Sequence, residues 1–414
     1  MEPLGAESVA TPLGLRRNLT LDLATAVGIG ATTAIIGSLL PTVARREGLG
    51  PLELAALASA PFWANFAGAF AGRLGPRTPM QLAISRGVGS GLLVFLVLVP
   101  VPLVVIPVAI AFWFTISFGA PLQLRLWGQI YPPRLRGRLL GVLGTGRAAA
   151  AGAAALVGGL LADQIGGLTV VALVGVVGAV CALAAAGLRA PQPDAARAYS
   201  ARSSIRALRE RPVLRRVALA QAFYGGGLIA ALPLYALVNV DRLSLSLGEV
   251  GFIGVIGAIA NTAAFGVWGW VADRRGWAPV MSVGSVLGLL SLVAYALAPA
   301  VAILWISVIL VGIANAAVDI GLPAVMSEES PVDERPAVMA GWNSLTGARG
   351  VAAPFIASGL VEAGLVDVTG GLLLCALTSA VGTLLFLRIG GWRLSGSSQK
   401  ASAIYGHIRS SPRT

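Results

Sequence analysis

Lysine and histidine are nearly missing from this 414-residue sequence: Lys400 is the sole lysine and His407 the sole histidine, both close to the C-terminal end. Without a lysine before position 400, no Gly-x-x-x-x-Gly-Lys-Ser/Thr phosphate loop exists, and nucleotide-driven pumping by this chain is excluded. No Ser, His and acid set or metal-ligand spacing can be assembled around His407, so no enzymatic activity, resident metal or cofactor is expected. Cysteine is scarce too, and Cys181 and Cys375 each lie in an apolar run, which gives no disulfide framework. Charge of either sign is low at 12%, whereas 56% of residues are hydrophobic and the mean hydropathy is +0.83. A water-soluble fold cannot cover that much apolar surface with so few polar residues, so the expected solvent is lipid.

What charge there is falls on arginine, and the formal net charge is +12. These arginines do not gather on one soluble module with aromatics, as nucleic-acid binding requires; they punctuate the gaps between hydrophobic runs. Runs of about twenty apolar residues fall at Leu19–Leu40, Leu52–Ala71, Met80–Val99, Leu103–Leu124, Leu139–Leu161 and Leu168–Leu188, then at Val217–Val238, Val250–Val271, Val280–Leu297, Val301–Pro323, Ala337–Val361 and Val366–Leu387. One alternate set of loops holds Arg16, Arg17, Arg73, Arg77, Arg134, Arg136, Arg138, the 189–216 cluster, Arg274, Arg275 and Arg335; the other holds only Arg45, Arg46 and Arg242. By the positive-inside rule both termini are cytoplasmic, which requires an even number of spans. The first run is longer than a signal-peptide core and has no cleavage site after it, so it is expected to remain as a span of an inner (plasma) membrane protein.

The expected layout is all-α: an N-terminal segment 1–18, a six-helix bundle 19–188, a linker 189–216, a second bundle 217–388 and a disordered polar tail 389–414. Ser203 to Arg211 suits a short basic helix on the anionic leaflet or a solvated linker. The second bundle repeats the first at a shift of about two hundred residues. Gly68, Arg73 and Gly75 then fall on Gly269, Arg274 and Gly276, Pro132–Arg136 falls near Pro331–Arg335, and the proline breaks at Pro100 and Pro299 correspond.

Gly269-Trp270-Val271-Ala272-Asp273-Arg274-Arg275-Gly276 resembles the loop signature of the major facilitator superfamily, and Gly68 to Arg77 has the same frame with Gly72 in the acidic position. The basic turn Tyr131 to Arg138 is similar to the one that precedes the fifth span in that superfamily. The resemblance implies twelve transmembrane helices in two pseudo-symmetric bundles around a midplane site, lined by the first, fourth, seventh and tenth spans. It makes Gly68, Arg73, Gly75, Arg77, Gly269, Asp273, Arg274 and Gly276 gate candidates at the cytoplasmic face; the arginines suit bonds to exposed helix-end carbonyls, a pair with an acid across the lobes, or topology alone.

An ionisable group within a span needs a partner or a water-filled cavity. Asp319 and Asn315, one turn apart in the tenth span, share a helical face, and Asp319 is the leading candidate for proton coupling or for a cationic substrate, against an acid paired with an arginine. Asp22, at the start of the first span, is the second coupling candidate, although helix-terminus stabilisation or a pair with an arginine such as Arg147 explains it better. Arg147 and Arg349 suit either an anionic substrate group or a gate paired with Asp22 or Asp319. Gln221, Tyr224 and Tyr235 surround Gly225-Gly226-Gly227 and Pro233, a stretch expected to loosen the seventh span; Trp113 and Gln123, with Asn65, Asn261 and Asn343, are further lining candidates or interhelical links. Gly158-Gly159 keeps the paired glycines of drug–proton exchangers and lacks their proline. Two functions remain open: a proton-coupled secondary transporter of a small organic solute, with export favoured over uptake, or a sensor or assembly partner that moves nothing. The partners expected are a small-molecule substrate, protons and the lipid bilayer, with no nucleic acid and a monomeric chain.

Overall fold

The computed structural model describes residues 12–74, 77–99, 101–190, 206, 208–331 and 334–409, with the backbone alone for 12–13, 66–74, 133, 336 and 392–409. Among these, twelve long helices follow one another and no strand occurs. In the first half they are α1 (Pro12–Ala34, continued by a π turn at Ile35–Leu39 into Leu40–Arg46), α2 (Pro51–Leu74), α3 (Pro79–Gly91), α4 (Val105–Ile130), α5 (Pro133–Ile165) and α6 (Gly167–Leu183). In the second half they are α7 (Pro212–Leu237, continued by a π turn at Val238–Arg242), α8 (Leu247–Arg275), α9 (Trp277–Ala296), α10 (Val301–Glu329), α11 (Arg335–Glu362) and α12 (Val368–Arg409). Among the described residues, ten of the twelve are long and apolar enough to cross a bilayer; α2, whose last nine side chains lie outside the described residues, and α11 pack on each other across the halves.

Local chemistry sets the ends. Proline opens α2, α3, α5 and α7, where its missing N–H costs nothing because that group has no intrahelical partner. Gly166 (φ +92°) and Gly276 (φ +75°) each turn the chain in one residue, from α5 into α6 and from α8 into α9. Several helices outrun their apolar cores: α4 continues past Leu124 to Ile130, and α5 begins at Pro133, where exposed Arg134 and Arg138 keep their charge in water while the backbone stays bonded. α12 likewise continues past Gly391 to Arg409, beyond the point where a polar tail was expected. The linker lies mostly outside the described residues; within it Arg206 pairs with Glu210 at 2.7 Å.

The packing repeats. In the first half α1 lies against α5 and α6, α2 against α4, and α3 against α4 and α6; in the second, α7 lies against α11 and α12, α8 against α10, and α9 against α10 and α12. Gly28 of α1 abuts Cys181 and Gly178 of α6, and Gly227 of α7 abuts Cys375 and Ser379 of α12. Arg136, at the start of α5, donates to the carbonyls of Gly128 (2.7 Å) and Tyr131 (3.1 and 3.2 Å) at the end of α4. Arg335 does the same from α11 to Ser327 (2.6 Å) and Ser330 (3.3 Å) at the end of α10. Each guanidinium thus satisfies carbonyls that a helix end leaves unpaired. The halves meet along two seams, α2 with α11 and α5 with α8.

Candidate functional site

Between the halves lies a cavity of about 350 Å³. The first half contributes Ile36, Gly37 and Ser38 of α1, Phe62 of α2 and Trp113 of α4; the second contributes Tyr235 and Asn239 of α7, Gly254 and Gly257 of α8, Tyr295 of α9, and Val308 and Val311 of α10. Both π turns reach it, Ile35–Leu39 at Gly37 and Val238–Arg242 at Asn239, on helices that occupy equivalent places in the repeat. A π turn adds a residue to the helical register and so re-aims the side chains around it. The Tyr295 hydroxyl donates to Asn239 Oδ1 at 2.6 Å, and the Tyr235 and Tyr295 rings lie 4.1 Å apart. Ser291 and Ser307 bond each other at 3.0 Å in the wall.

Charged groups close one end. Arg45, at the last turn of α1, grips Asp241 of the other half through contacts of 2.9 to 3.1 Å and also donates to Leu49 O. Arg46 donates to Leu245 O and lies 3.8 Å from Asp163. Asp163, in the last turn of α5, accepts from the backbone N–H of Leu247 and Gly248, both at 2.8 Å, while Ser246 takes the N–H of Glu249 at 3.1 Å. The first three free N–H groups of α8 are therefore satisfied, two of them by a carboxylate from the opposite half, which also meets the positive end of that helix. Below this latch, Gly159 and Gly251 bring α5 and α8 into backbone contact. The latch was not visible in the sequence as a site; the signal was that Arg45, Arg46 and Arg242 stand in loops otherwise free of arginine. Arg242 donates to the carbonyls of Tyr295 and Ala296 at the end of α9.

Toward the opposite, arginine-rich face the wall of α10 continues from Val308 and Val311 to Asn315 and Asp319, at helical spacing and both exposed. Among the described residues the Asp319 carboxylate makes no hydrogen bond or ion pair. Asp22 is different. It is 1% exposed inside the first half and accepts from Trp127 Nε1 (2.6 Å), Tyr131 Oη (2.8 Å) and Gln123 Nε2 (3.2 Å). Gln123 Oε1 in turn accepts from Arg86 of α3, which is 3% exposed, with Nε and Nη1 buried and unbonded among the described residues. Arg86 was not singled out from the sequence, because a lone arginine two turns into a run whose preceding loop is basic reads as part of the span's cytoplasmic boundary.

The structure corrects several expected contacts. Arg147 does not pair with Asp22: it lies against Gly30, eight positions or roughly 12 Å along α1, and three neutral donors take its place. Gln123 belongs to that buried network and not to the cavity. Tyr224, 1% exposed, is covered by α9 at Gly284 and Gly288 and by Phe386 of α12, and Gln221 is buried with its carbonyl accepting from Arg349 Nη1. Gly225 to Gly227 leave α7 helical, and of the three Gly225 and Gly227 serve close packing, against Arg349 and α12; the departure from α geometry comes later, at Val238. Trp113 and Tyr235 do line the cavity. Asn261 donates to Gly312 O at 3.2 Å and joins α8 to α10, while Asn343 is exposed and Asn65 half-buried.

At the arginine-rich face, Arg77, Asp273 and Arg274 are exposed and Gly269 is half-buried, Arg274 lies 4.3 Å over the Trp270 ring, and Gly276 ends α8. The side chain of Arg73 and the position of Gly75 fall outside the described residues, and Gly68 is placed by its backbone alone. An ion pair between the halves occurs at the latch, between Arg45 and Asp241.

The family model of the Major Facilitator Superfamily matches residues 21–240 and again 217–404, once for each half. The chain is a member of the major facilitator superfamily. Solved members share its fold at low identity. The nucleoside transporter NupG superposes with a TM-score of 0.70 at 16% identity, over 90% of this chain and 98% of that one. A bacterial homologue of the human lysosomal transporter Spinster, inward-facing and occupied, gives 0.64 at 17% over 94% and 98%, and the POT family transporter PepTSo gives 0.71 at 11% over 91% and 97%. No curated protein matches the sequence significantly.

Proposed function

We propose that this superfamily member is a monomeric secondary transporter of a small organic solute in the cell's inner (plasma) membrane, with both termini cytoplasmic, working by alternating access. The observation that carries the reading is the latch: an ion pair and a carboxylate-capped helix end join the halves beyond one end of a cavity that both halves line. With the arginine-rich loops cytoplasmic, this is the inward-facing state. Solute reaches the cavity along the α10 wall past Asp319 and Asn315.

Proton coupling fits Asp319 better than Asp22. Asp319 is exposed, at helical spacing from the cavity-lining Val308 and Val311, with no partner among the described residues, so its protonation state can follow solute and solvent, whereas Asp22 is held by three donors within one lobe. The paired glycines Gly158 and Gly159 have a packing explanation here, since Gly159 meets Leu247 and Gly251 across the α5–α8 seam; export over uptake rests on that sequence feature alone. Flux of uncharged aromatic solutes in proteoliposomes, with and without a pH gradient, tests the reading. Wild-type flux should follow the gradient, and Asp319→Asn should lose that dependence while still binding solute. Gradient-driven flux unchanged in Asp319→Asn removes the coupling assignment, and absence of any flux with lobes that never change separation favours a sensor.

A further inference from the structure

The cavity beneath the latch has a chemistry of its own. Its lining contains no carboxylate, guanidinium, ammonium or imidazole among the described residues, and the wall is aromatic and aliphatic around Trp113, Phe62 and Tyr235. Four polar groups of lining residues make no protein hydrogen bond among the described residues: Thr42 Oγ1 and Trp113 Nε1 from the first half and, from α7, the Tyr235 hydroxyl and Asn239 Nδ2, whose own Oδ1 accepts from Tyr295. The α7 pair is the one placed to act together. They stand one turn apart on α7, so a single polar group of a ligand can meet both. A net charge placed here finds no counter-ion, and burying an unpaired charge is far costlier than burying a neutral hydrogen-bonding group.

Resting on the reading of this cavity as the solute site, we infer that it selects an uncharged solute with a flat aromatic or apolar body and one hydrogen-bonding group, held by Tyr235 and Asn239, and rejects its charged analogues. The volume, about 350 Å³, is at the small end of ligand pockets and suits a two- or three-ring body.

The test uses the full chain in lipid nanodiscs and three dyes of similar ring system: neutral N-phenyl-naphthylamine, anilinonaphthalene sulfonate, and a naphthyl quaternary ammonium. Binding is read as energy transfer from tryptophan, counting only the fraction lost in Gly37→Phe. Gly37 lines the cavity and a Cβ there meets nothing within 4 Å, so a side chain can start into the space from this position without a backbone clash. We expect the neutral dye to bind at least tenfold more tightly than either charged one, and Tyr235→Phe with Asn239→Ala together to weaken it about tenfold, the equivalent of about 1.4 kcal/mol. Equal or tighter Gly37-dependent binding of a charged dye overturns the inference, as does the absence of Gly37-dependent binding for all three. The readout is equilibrium binding, so this failure is separable from failure of the transport reading, which is judged by flux and lobe separation.

Discussion

Asp22 and Arg86 show how a bilayer-embedded lobe keeps opposite charges that do not touch. Gln123 stands between them, its amide nitrogen donating to the carboxylate and its oxygen accepting from the guanidinium. Removing one charge strands the other in a region with almost no solvent, and a buried group without its partner costs far more than the pair contributes. Asp22→Asn should therefore lower the thermal midpoint of the purified protein, and Arg86→Met in the same background should recover part of it. A double-mutant cycle by thermal or denaturant unfolding should give a coupling of about 1–3 kcal/mol, and additive losses would mean the network carries no shared energy. Gly350 poses a different residue-scale case. A Cβ at that position would overlap the Phe62 ring, and Phe62 lines the cavity. Gly350→Ala should drive the ring inward and abolish Gly37-dependent dye binding while the chain stays folded; unaltered binding would show that the ring has room to move elsewhere.

For the helices, what was legible in the sequence was periodicity, charge placement and repetition. Runs such as Leu168–Leu188 announce a helix by length alone, and the match of Gly269–Gly276 to Gly68–Arg77 announces two related halves. Side-chain neighbours were not legible, because a span that is apolar on every side carries little amphipathic signal to say which face meets which helix. Tyr224 and Tyr235 illustrate this: eleven residues apart on α7, they share a face, yet one is sealed under α9 and the other lines the cavity. Small residues decide such outcomes by letting backbones approach. At Gly30 an added Cβ would meet the Arg147 carbonyl oxygen of α5, which cannot step aside, whereas at Gly37 on the same helix it meets nothing. Gly30→Ala should thus destabilise the first half by about 1–3 kcal/mol and Gly37→Ala by almost nothing, a contrast that thermal unfolding of the two variants measures directly. The repeat makes its own prediction. Arg136→Ala and Arg335→Ala each remove the bonds that close a helix end, and the two losses should agree within about 0.5 kcal/mol, near 1 kcal/mol each; a large difference would mean the halves are alike in shape and unlike in how they are held.

Across the whole molecule, the two seams and the latch determine which face is shut. The α5–α8 seam brings backbone against backbone at Gly159 and Gly251, and the latch adds Arg45–Asp241 and the Asp163 contact with the start of α8. Arg45 and Asp241 are partly exposed, so their pairing alone is worth little, but Asp163 also satisfies two helix-end N–H groups and meets a helix dipole. These contacts exist only while this face is closed, and whatever they contribute is a bias toward the closed state rather than toward folding. Removing them with Arg45→Ala and Asp163→Ala should leave unfolding of each half nearly unchanged and shift the equilibrium between closed and open by roughly 1–3 kcal/mol, between about five- and 150-fold in population. Paired spin labels at Glu47 and Glu362 on the latched face and at Arg138 and Arg275 on the arginine-rich face read both ends at once. The variant should lengthen the first separation and shorten the second together, because two rigid halves rocking about a central site cannot open one end without closing the other. If the latched face opens while the arginine-rich face stays as it is, the halves do not rock as units, and a local lid is what the arginines hold.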